Sequence, residues 1–320
     1  MKNVTVIIGA GVSGLLVGRE MTRLGAEVIV LEKSRGLGGR LATKRVGPAV
    51  FDQGAQFLTT RDGDGFGDEL CAWVKAGIAT SWNQGDVRRW TGRPSMNGVG
   101  KWLAEDVDVR REHKVTAVRH HDCGCWELDV EGEGMMRAER LVLSAPVPQS
   151  LALLDAGGVE LPPDTRQALG KLVYHPCLAL LVALDGPSEV PSGGVAMESG
   201  PLRWVADNAK KGTSPPGRGA ITLHTTPEFS AAHYGASVEE IAEHLLPVAA
   251  KWFGGADVLS TTLHRWRFSE PAAQFEKPCL WLPDLALGFC GDAFGGPRVG
   301  GAVKSGLAMA EVLSRVVKRP

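Results

Sequence analysis

Gly9, Gly11 and Gly14 have the spacing with which glycines cradle a pyrophosphate, and they directly follow the apolar run Val4–Ile8. Gly9 permits a tight turn, Gly11 lets a phosphate approach the backbone, and Gly14 allows a helix to pack closely on a sheet. The helix would offer N–H groups and partial positive charge to the phosphates. The pattern therefore predicts a dinucleotide site, with a glycine-rich turn that binds nothing as the alternative.

Glu32 is the residue that we expect to bind the ribose of this dinucleotide. The predicted helix runs to about Leu24, and the second predicted strand, Val28–Leu31, ends directly before Glu32. An acid about 20 residues after the glycine motif accepts hydrogen bonds from ribose hydroxyls. Because the carboxylate would repel a 2′-phosphate, the pattern favours an adenine dinucleotide that lacks one.

A second glycine-rich loop, Gly36–Arg40, follows the acid and extends the site. A simple NAD site does not need such a loop. FAD does, because its ribityl and flavin ends run on past the pyrophosphate. We therefore expect FAD. Arg40 could face a phosphate or the flavin edge, or it could be a solvated surface arginine.

The end of the chain adds a third glycine-rich segment, between Gly288 and Gly306. A strand near Leu285–Cys290 leads to Asp292, whose carboxylate could accept from a ribityl hydroxyl or cap a helix. The closing helix, about Gly301–Val316, would point its N-terminus at the N1–C2=O edge of the flavin. Reduced flavin carries negative charge there, which a helix N-terminus stabilises.

Taken together, these motifs resemble the FAD-binding amine-oxidase-like flavoproteins. The segment Phe51–Phe57, with its Asp-x-Gly-Ala pattern, also matches that superfamily. Within it, the short chain and the segments Gly200–Asn208 and His264–Arg267 resemble the renalase family, closest to its bacterial members. The resemblance implies a two-domain α/β flavoprotein. Its parts would be a glutathione-reductase-type Rossmann FAD domain with p-hydroxybenzoate-hydroxylase-like topology and a mixed α+β substrate domain.

The FAD domain is expected to be discontinuous, with residues 1–55, 96–158 and 271–320, while residues 56–95 and 159–270 form the substrate domain. The resemblance implies that FAD is bound non-covalently, with Val115 at the adenine and Ala145 near the nucleotide. The predicted cofactor-binding residues are Gly9, Gly11, Val12, Ser13, Gly14, Glu32, Lys33, Gly38, Gly39, Arg40, Gln56, Val115, Ala145, Gly291, Asp292, Val299, Gly301 and Ala302.

The renalase resemblance implies a flavin oxidase. Renalases oxidise the 2- and 6-dihydro isomers of NAD(P) to NAD(P)+, with hydride transfer to flavin N5 and reduction of dioxygen to hydrogen peroxide. A dihydropyridine becomes aromatic when it loses hydride, so the reaction needs no strong base. The protein mainly orients the donor over the flavin and excludes water.

Amine oxidation is the alternative reaction for the same fold, and a flavin-bound protein with a binding or signalling role is a second alternative. Amine oxidases often place an aromatic cage of two tyrosines before the flavin. This chain has only two tyrosines, Tyr174 and Tyr234, beside nine tryptophans. A paired-tyrosine cage would have to use both, which favours the dihydronicotinamide reaction without excluding a cage walled by tryptophan.

The predicted catalytic residues come mainly from the strands of the substrate domain. Trp266 could stand near the flavin or pack in the core, and His224 could contact substrate or be a satisfied core histidine. Asn208 could bind a carboxamide or cap a turn. The complete set is Trp204, Asn208, His224, Arg265, Trp266 and Gln56, of which Gln56 is also expected to reach the flavin.

Composition narrows the remaining function classes. The formal net charge is -1, which argues against a dedicated nucleic-acid binder. No apolar run reaches the length of about 20 residues that a membrane span needs. The six cysteines lack disulfide-like spacing, so a reducing cytoplasm is the expected location. Cys123 and Cys125, with His120 and His121 nearby, lack the second pair that a zinc site needs, so we expect a hairpin turn and no metal.

Overall fold

The computed structural model describes residues 4–60, 65–82 and 88–317. In chain order its strands are β1 (Val4–Ile8), β2 (Glu27–Glu32), β3 (Thr43–Val46), β4 (Ala49–Asp52), β5 (Ala79–Ser81), β6 (Trp90–Gly92), β7 (Asp108–Arg111), β8 (Val115–His120), β9 (Trp126–Val130), β10 (Gly134–Ala138), β11 (Arg140–Leu143), β12 (Tyr174–Leu184), β13 (Gly194–Ala196), β14 (Leu202–Asp207), β15 (Ala220–Thr225), β16 (Val258–Pro271), β17 (Leu280–Leu282) and β18 (Leu287–Phe289). The α-helices are α1 (Val12–Arg23), α2 (Gly67–Lys75), α3 (Asn97–Leu103), α4 (Val147–Ala156), α5 (Pro163–Gly170), α6 (Pro227–Ala232), α7 (Val238–Ala249), α8 (Asp292–Gly295) and α9 (Val299–Val317).

The larger sheet has the strand order β17-β18-β11-β1-β2-β7, with β1 between two parallel neighbours. One face packs on α1 and α9, and the other packs on the three-stranded sheet β10-β9-β8. Because both faces are covered, β1 is apolar at nearly every position and Val6 and Ile7 are fully buried. This is a Rossmann-like nucleotide-binding fold, and the expected two-part α/β architecture is confirmed.

The second sheet is antiparallel, with the order β13-β14-β15-β12-β16. One of its faces forms a hydrophobic core with α7, through residues such as Leu180, Val205 and Leu223. Helix α7 begins with a capping box between Ser237 and Glu240, which satisfies backbone N–H groups at its first turn. The opposite face carries aromatic and polar side chains and lies against the chain just after β4.

Helix α7 ends at Ala249, and the chain continues as a short 3-10 turn. The closing helix starts at Val299, slightly earlier than expected. The expectation of unpaired cysteines is wrong at one place, because Cys123 and Cys125 form a disulfide in the turn between β8 and β9. Among the described residues no helix is long and apolar enough to cross a membrane. The same residues contain no cluster of three or more His, Cys, Asp or Glu side chains that could hold a metal ion.

Candidate functional site

The glycine loop after β1 has the geometry that its spacing predicts. Gly9 has a φ of +110°, which other residues rarely adopt. A Cβ on Gly14 would collide with the carbonyl oxygen of Gly9 and the hydroxyl of Ser144, so this glycine brings α1 against the sheet. A Cβ on Gly11 would have no atom of the described residues within 4 Å. The space in front of Gly11 is therefore open to a ligand.

Helix α1 starts at Val12, and no side chain among the described residues caps its N-terminus. Its first N–H groups, including those of Val12 and Ser13, therefore remain available to an anion in front of Gly11. An open glycine face beside uncapped helix donors is the arrangement that a pyrophosphate requires. These residues therefore fit the phosphates of a dinucleotide.

Glu32 is buried at the end of β2 and is held by the backbone around it. Its Oε2 accepts from the N–H of Ala10 at 2.9 Å, and its Oε1 accepts from the N–H of Ser34 at 2.8 Å. Each carboxylate oxygen keeps a lone pair for a ribose hydroxyl. Lys33, the next residue, is exposed.

The second glycine loop packs on the first one as well as bordering the site. Gly38 donates its N–H to the carbonyl of Ala10 at 2.9 Å, and a Cβ on Gly39 would lie 3.3 Å from the Cα of Gly11. A Cβ on Gly100 of α3 would lie 2.5 Å from the Cα of Gly38. Gly38 and Gly39, which were predicted to bind the cofactor, thus also allow close contacts between chain segments.

Arg40 and Asp292 form a two-fold ion pair across the site. Arg40 Nη2 lies 2.7 Å from Asp292 Oδ1, Nη1 lies 2.5 Å from Oδ2, and Nη1 also donates to the carbonyl of Ser269 at 3.1 Å. Arg40 is therefore not a solvated surface arginine. Asp292 is the first residue of α8, and the N-cap residue of this helix is Gly291. Asp292 therefore does not have the N-cap role that was its alternative.

The start of α9 depends on close backbone packing. A Cβ on Gly301 would collide with the carbonyl of Gly296, and a Cβ on Gly295 would collide with the carbonyl of Gly301. Gly291 donates its N–H to Ser305 Oγ at 2.8 Å, which ties the turn after β18 to α9. The predicted residues Val299, Gly301 and Ala302 thus lie at an N-terminus that sits next to the Arg40–Asp292 pair.

The two residues predicted near the nucleotide from the resemblance lie at the same edge of the sheet. Ala145 follows Ser144, and a Cβ on Gly9 would lie 3.3 Å from the Ala145 nitrogen. Val115 begins β8, two residues after His113, whose N–H donates to the carbonyl of Glu32 at 3.0 Å.

The chain from Asp52 to Gln56 joins the two sheets. Asp52 donates its N–H to Asn208 Oδ1 at 3.0 Å, and its carbonyl accepts from Thr222 Oγ1 at 3.1 Å. The carbonyl of Gln53 accepts from Trp266 Nε1 at 2.9 Å and lies 3.1 Å from His224 Nε2. Side chains of the antiparallel sheet therefore fix this segment where it leaves the Rossmann-like part.

Lys211 and Asp52 form a buried ion pair at the centre of that contact. Lys211 Nζ lies 2.8 Å from Asp52 Oδ2, and both side chains have 0% exposure. Nζ also donates to Gln56 Oε1 at 3.0 Å. The other carboxylate oxygen of Asp52 accepts from Thr43 Oγ1 and from the N–H of Met96 at the start of α3. Burial lowers the pKa of Lys211, and the Asp52 carboxylate opposes that shift.

The polar face of the antiparallel sheet brings three predicted residues together. Trp204 pairs with His224 across β14 and β15, and His224 and His264 both pair with Ala179 of β12. Directly opposed residues share a face, as do residues two apart in one strand, so Trp266 joins this row beside His264. Burial lowers the pKa of His224 to about 4, so its imidazole is neutral near pH 7.

Trp204 also belongs to an aromatic cluster with Phe57 and Trp82. The ring of Phe57 lies 5.0 Å from that of Trp204 and 6.3 Å from that of Trp82. The guanidinium carbon of Arg89 stands 4.7 Å from the Phe57 ring and 5.1 Å from the Trp204 ring. This cluster, Phe57–Trp82–Trp204, lies next to the 52–56 turn, because Phe57 directly follows Gln56.

The structure places three predicted catalytic residues in other roles. Asn208 has 0% exposure, and its amide also donates to the carbonyl of Ala220 and to Thr222 Oγ1, which leaves no free group for a carboxamide. Arg265 is exposed on the opposite face from Trp266 and donates to the carbonyls of Tyr234 and Ala236. Gln56 is engaged with Lys211 and with backbone carbonyls, so its side chain serves the 52–56 turn.

Sequence reasoning missed several residues of this site, which are Asp52, Phe57, Trp82, Arg89 and Lys211. Asp52 lies in the Asp-x-Gly-Ala pattern, which was recognised in the sequence. A buried carboxylate needs a cationic partner, so the pattern implied that a lysine or arginine would lie beside it. The identity of that cation could not be read from spacing, because Lys211 lies far away in the chain.

The fold and the site together define the class of this protein. A Rossmann-like sheet, an open glycine loop at a helix N-terminus and a buried acid at the end of β2 are the features of a dinucleotide-binding protein. Residues 7–66 match a family model described as an NAD(P)-binding Rossmann-like domain, and residues 79–314 match one described as flavin containing amine oxidoreductase. The second match covers well over half of the chain. The protein therefore belongs to the flavin-containing amine oxidoreductase family, and its cofactor is FAD.

Solved structures share this fold along nearly the whole chain. Cyclohexylamine oxidase from Brevibacterium oxydans IH-35A superposes with a TM-score of 0.72 at 14% identity, covering 100% of both chains. Wild-type putrescine oxidase bound to putrescine gives a TM-score of 0.70 at 16% identity, covering 98% of this chain and 99% of the other. At these identities the likeness shows the fold alone.

Curated relatives match over a short segment. "Putative flavin-containing monoamine oxidase AofH" of Mycobacterium tuberculosis is 45% identical over 53 residues, which are 17% of this chain and 12% of that protein. "Possible lysine-specific histone demethylase 1" of Drosophila melanogaster is 43% identical over 54 residues, 17% of this chain and 6% of that protein. The match thus spans only a small part of either relative's length.

Proposed function

We propose that this protein oxidises dihydronicotinamides, the 2- and 6-dihydro isomers of NAD(P), to NAD(P)+. The placement of the tyrosines carries the proposal. Tyr174 packs beside the Rossmann-like sheet, 5.9 Å from the guanidinium carbon of Arg40, whereas Tyr234 packs in the core between the antiparallel sheet and α7. The only two tyrosines of the chain thus lie in separate clusters and do not form an amine-oxidase cage.

FAD, when bound, supplies the two-electron acceptor and its return to the oxidised state with dioxygen. The balanced reaction converts the dihydronicotinamide, dioxygen and a proton into NAD(P)+ and hydrogen peroxide. The donor needs no base on this chain, because loss of hydride makes its ring aromatic. His224 fits this requirement, because its pKa, lowered to about 4, makes the ring a weak base and its Nε2 is hydrogen-bonded to the Gln53 carbonyl.

The side chains of the site have orienting roles in this proposal. Trp266 and His224 hold the Gln53 carbonyl and so fix the 52–56 turn. The aromatic side chains Phe57 and Trp204 exclude water from the donor. Non-covalent retention of FAD belongs to the same proposal.

Amine oxidation is the second candidate, and the family match and the amine oxidases among the structural neighbours favour it. Anaerobic mixing of the FAD-loaded protein with 2-dihydroNAD, 6-dihydroNAD, ordinary 4-dihydro NADH and a panel of amines separates the candidates. We expect rapid flavin bleaching by the 2- or 6-isomer and slow bleaching by NADH. Rapid bleaching by an amine alone would select amine oxidation. A flavin that none of these donors reduces would instead indicate a binding or signalling role.

A further inference from the structure

The aromatic cluster Phe57–Trp82–Trp204 is already associated with cations of the protein itself. The Arg89 guanidinium carbon lies 4.7 Å and 5.1 Å from the centres of the Phe57 and Trp204 rings. Lys211 Nζ lies 5.8 Å from the centre of the Trp82 ring. Each ring therefore has a positive group within the range of cation–π attraction.

The cluster borders the proposed donor site. Trp204 is paired across the sheet with His224, which contacts the Gln53 carbonyl, and Phe57 directly follows Gln56. Trp204 and Trp82 are both more than 90% buried, whereas Arg89 is only partly buried. A donor that enters beside the 52–56 turn would therefore meet the guanidinium together with the ring edges.

We propose that Arg89 sets the charge specificity of this site, by occupying the position that a substrate ammonium would need and by attracting donors that carry negative charge. The faces of aromatic rings attract cations, and a guanidinium that covers them removes that attraction for a second cation and adds repulsion. The donor class that fits is a flat heteroaromatic ring with a phosphate group. This inference deepens the proposed function and rests on it for the location of the donor.

A second observation points to a ligand at the same place. Among the described residues no acceptor lies within hydrogen-bond distance of Trp204 Nε1, although the atom is buried. A buried N–H without a partner is unfavourable, because the group has lost its hydrogen bonds to water. A carboxamide or phosphate oxygen of the donor would satisfy it, whereas an ammonium has no acceptor to offer.

Equilibrium binding to the FAD-loaded protein tests the role of Arg89. The probes are NAD+, which carries phosphates, and benzyltrimethylammonium, a quaternary cation that cannot be oxidised because its nitrogen has no lone pair to form an iminium. Dissociation constants come from the perturbation of the flavin absorbance. In Arg89→Met we expect NAD+ to bind about tenfold more weakly and the ammonium about tenfold more tightly.

Two further variants control for folding and for general charge. The exposed neighbour Arg88→Met should change neither constant more than about twofold, because a rim charge is screened. Arg89→Lys keeps the charge and should keep the ammonium excluded. The inference is overturned if Arg89→Met leaves either constant unchanged, or if Arg88→Met reproduces its effect. Failure of the reaction is seen separately, as a wild-type flavin that neither dihydronicotinamide isomer reduces.

Discussion

At the residue scale, a glycine can be required by the fold or by a ligand, and the first glycine motif contains both kinds. Gly14 leaves no room for a Cβ between α1 and the carbonyl of Gly9, while the space beside Gly11 is open. Sequence spacing identifies both positions but does not separate their roles. Only the neighbours of each missing Cβ do so.

Substitution of these two glycines should therefore have different effects. We expect Gly14→Ala to lower the free energy of unfolding of the FAD-free protein by about 1–3 kcal/mol, because the added methyl group overpacks the contact between helix and sheet. Gly11→Ala should leave that stability unchanged within about 0.5 kcal/mol and weaken FAD binding by at least about tenfold, because the methyl group occupies the phosphate position. Urea unfolding and FAD titration measure the two quantities. Equal loss of apo stability in both variants would contradict this division.

The local motifs could be predicted because their spacing is fixed by one turn and one helix. The strand Val4–Ile8, the glycine loop and Glu32 all stand where the sequence places them. Asn208 could not be assigned in this way. Its amide is used up by Asp52, Ala220 and Thr222, which only the folded antiparallel sheet brings to it.

At the element scale, the two faces of the antiparallel sheet have different roles: one face packs in the hydrophobic core and the other borders the site. The apolar face holds α7, and the polar face holds the 52–56 turn through Trp266 and His224. Strand alternation alone could have excluded Arg265 from the site, because adjacent residues of one strand point to opposite faces. The sequence prediction grouped Arg265 with Trp266 and was wrong there. The available signal was Leu263, an apolar residue two positions before Arg265 in the same strand, which places Arg265 on the apolar face.

The burial of His224 between β15 and the 52–56 turn should make stability depend on pH. In the folded protein the pKa of His224 is lowered to about 4, mainly by burial, whereas an unfolded histidine titrates near about 6.5. Between these values the unfolded chain binds a proton that the folded chain does not. The free energy of unfolding should therefore fall as the pH falls from about 6.5 toward 4.

His224→Gln should remove this part of the pH dependence. Urea unfolding at several pH values measures it as the difference in slope between the wild type and the variant. The exposed His175→Gln is the matched control and should keep the wild-type slope. An unchanged slope in His224→Gln would show that His224 is not buried in solution in the way that the structure places it.

At the scale of the whole molecule, the Rossmann-like part and the antiparallel sheet are joined by groups far apart in the chain. Asp52 pairs with Lys211. Arg40, which pairs with Asp292 inside the Rossmann-like part, also donates to the carbonyl of Ser269 in β16. The predicted domain boundary between residues 55 and 56 falls within the turn that carries the first of these contacts. The motifs and the family resemblance predicted two units. They did not predict which charges meet between the units, because such pairing depends on how the completed sheets pack.

The buried pair gives the strongest expected effect on the stability of the whole protein. Lys211→Met should lower the free energy of unfolding by about 3–5 kcal/mol, because it leaves the Asp52 carboxylate buried without its cation. Lys114→Met breaks an ion pair with Glu131 whose side chains are 51% and 61% exposed, and should change stability by less than about 1 kcal/mol. Urea unfolding of both FAD-free variants tests this. If the two losses are equal, the Asp52–Lys211 pair does not hold the two parts together, and the turn must depend on the Trp266 and Thr222 contacts instead.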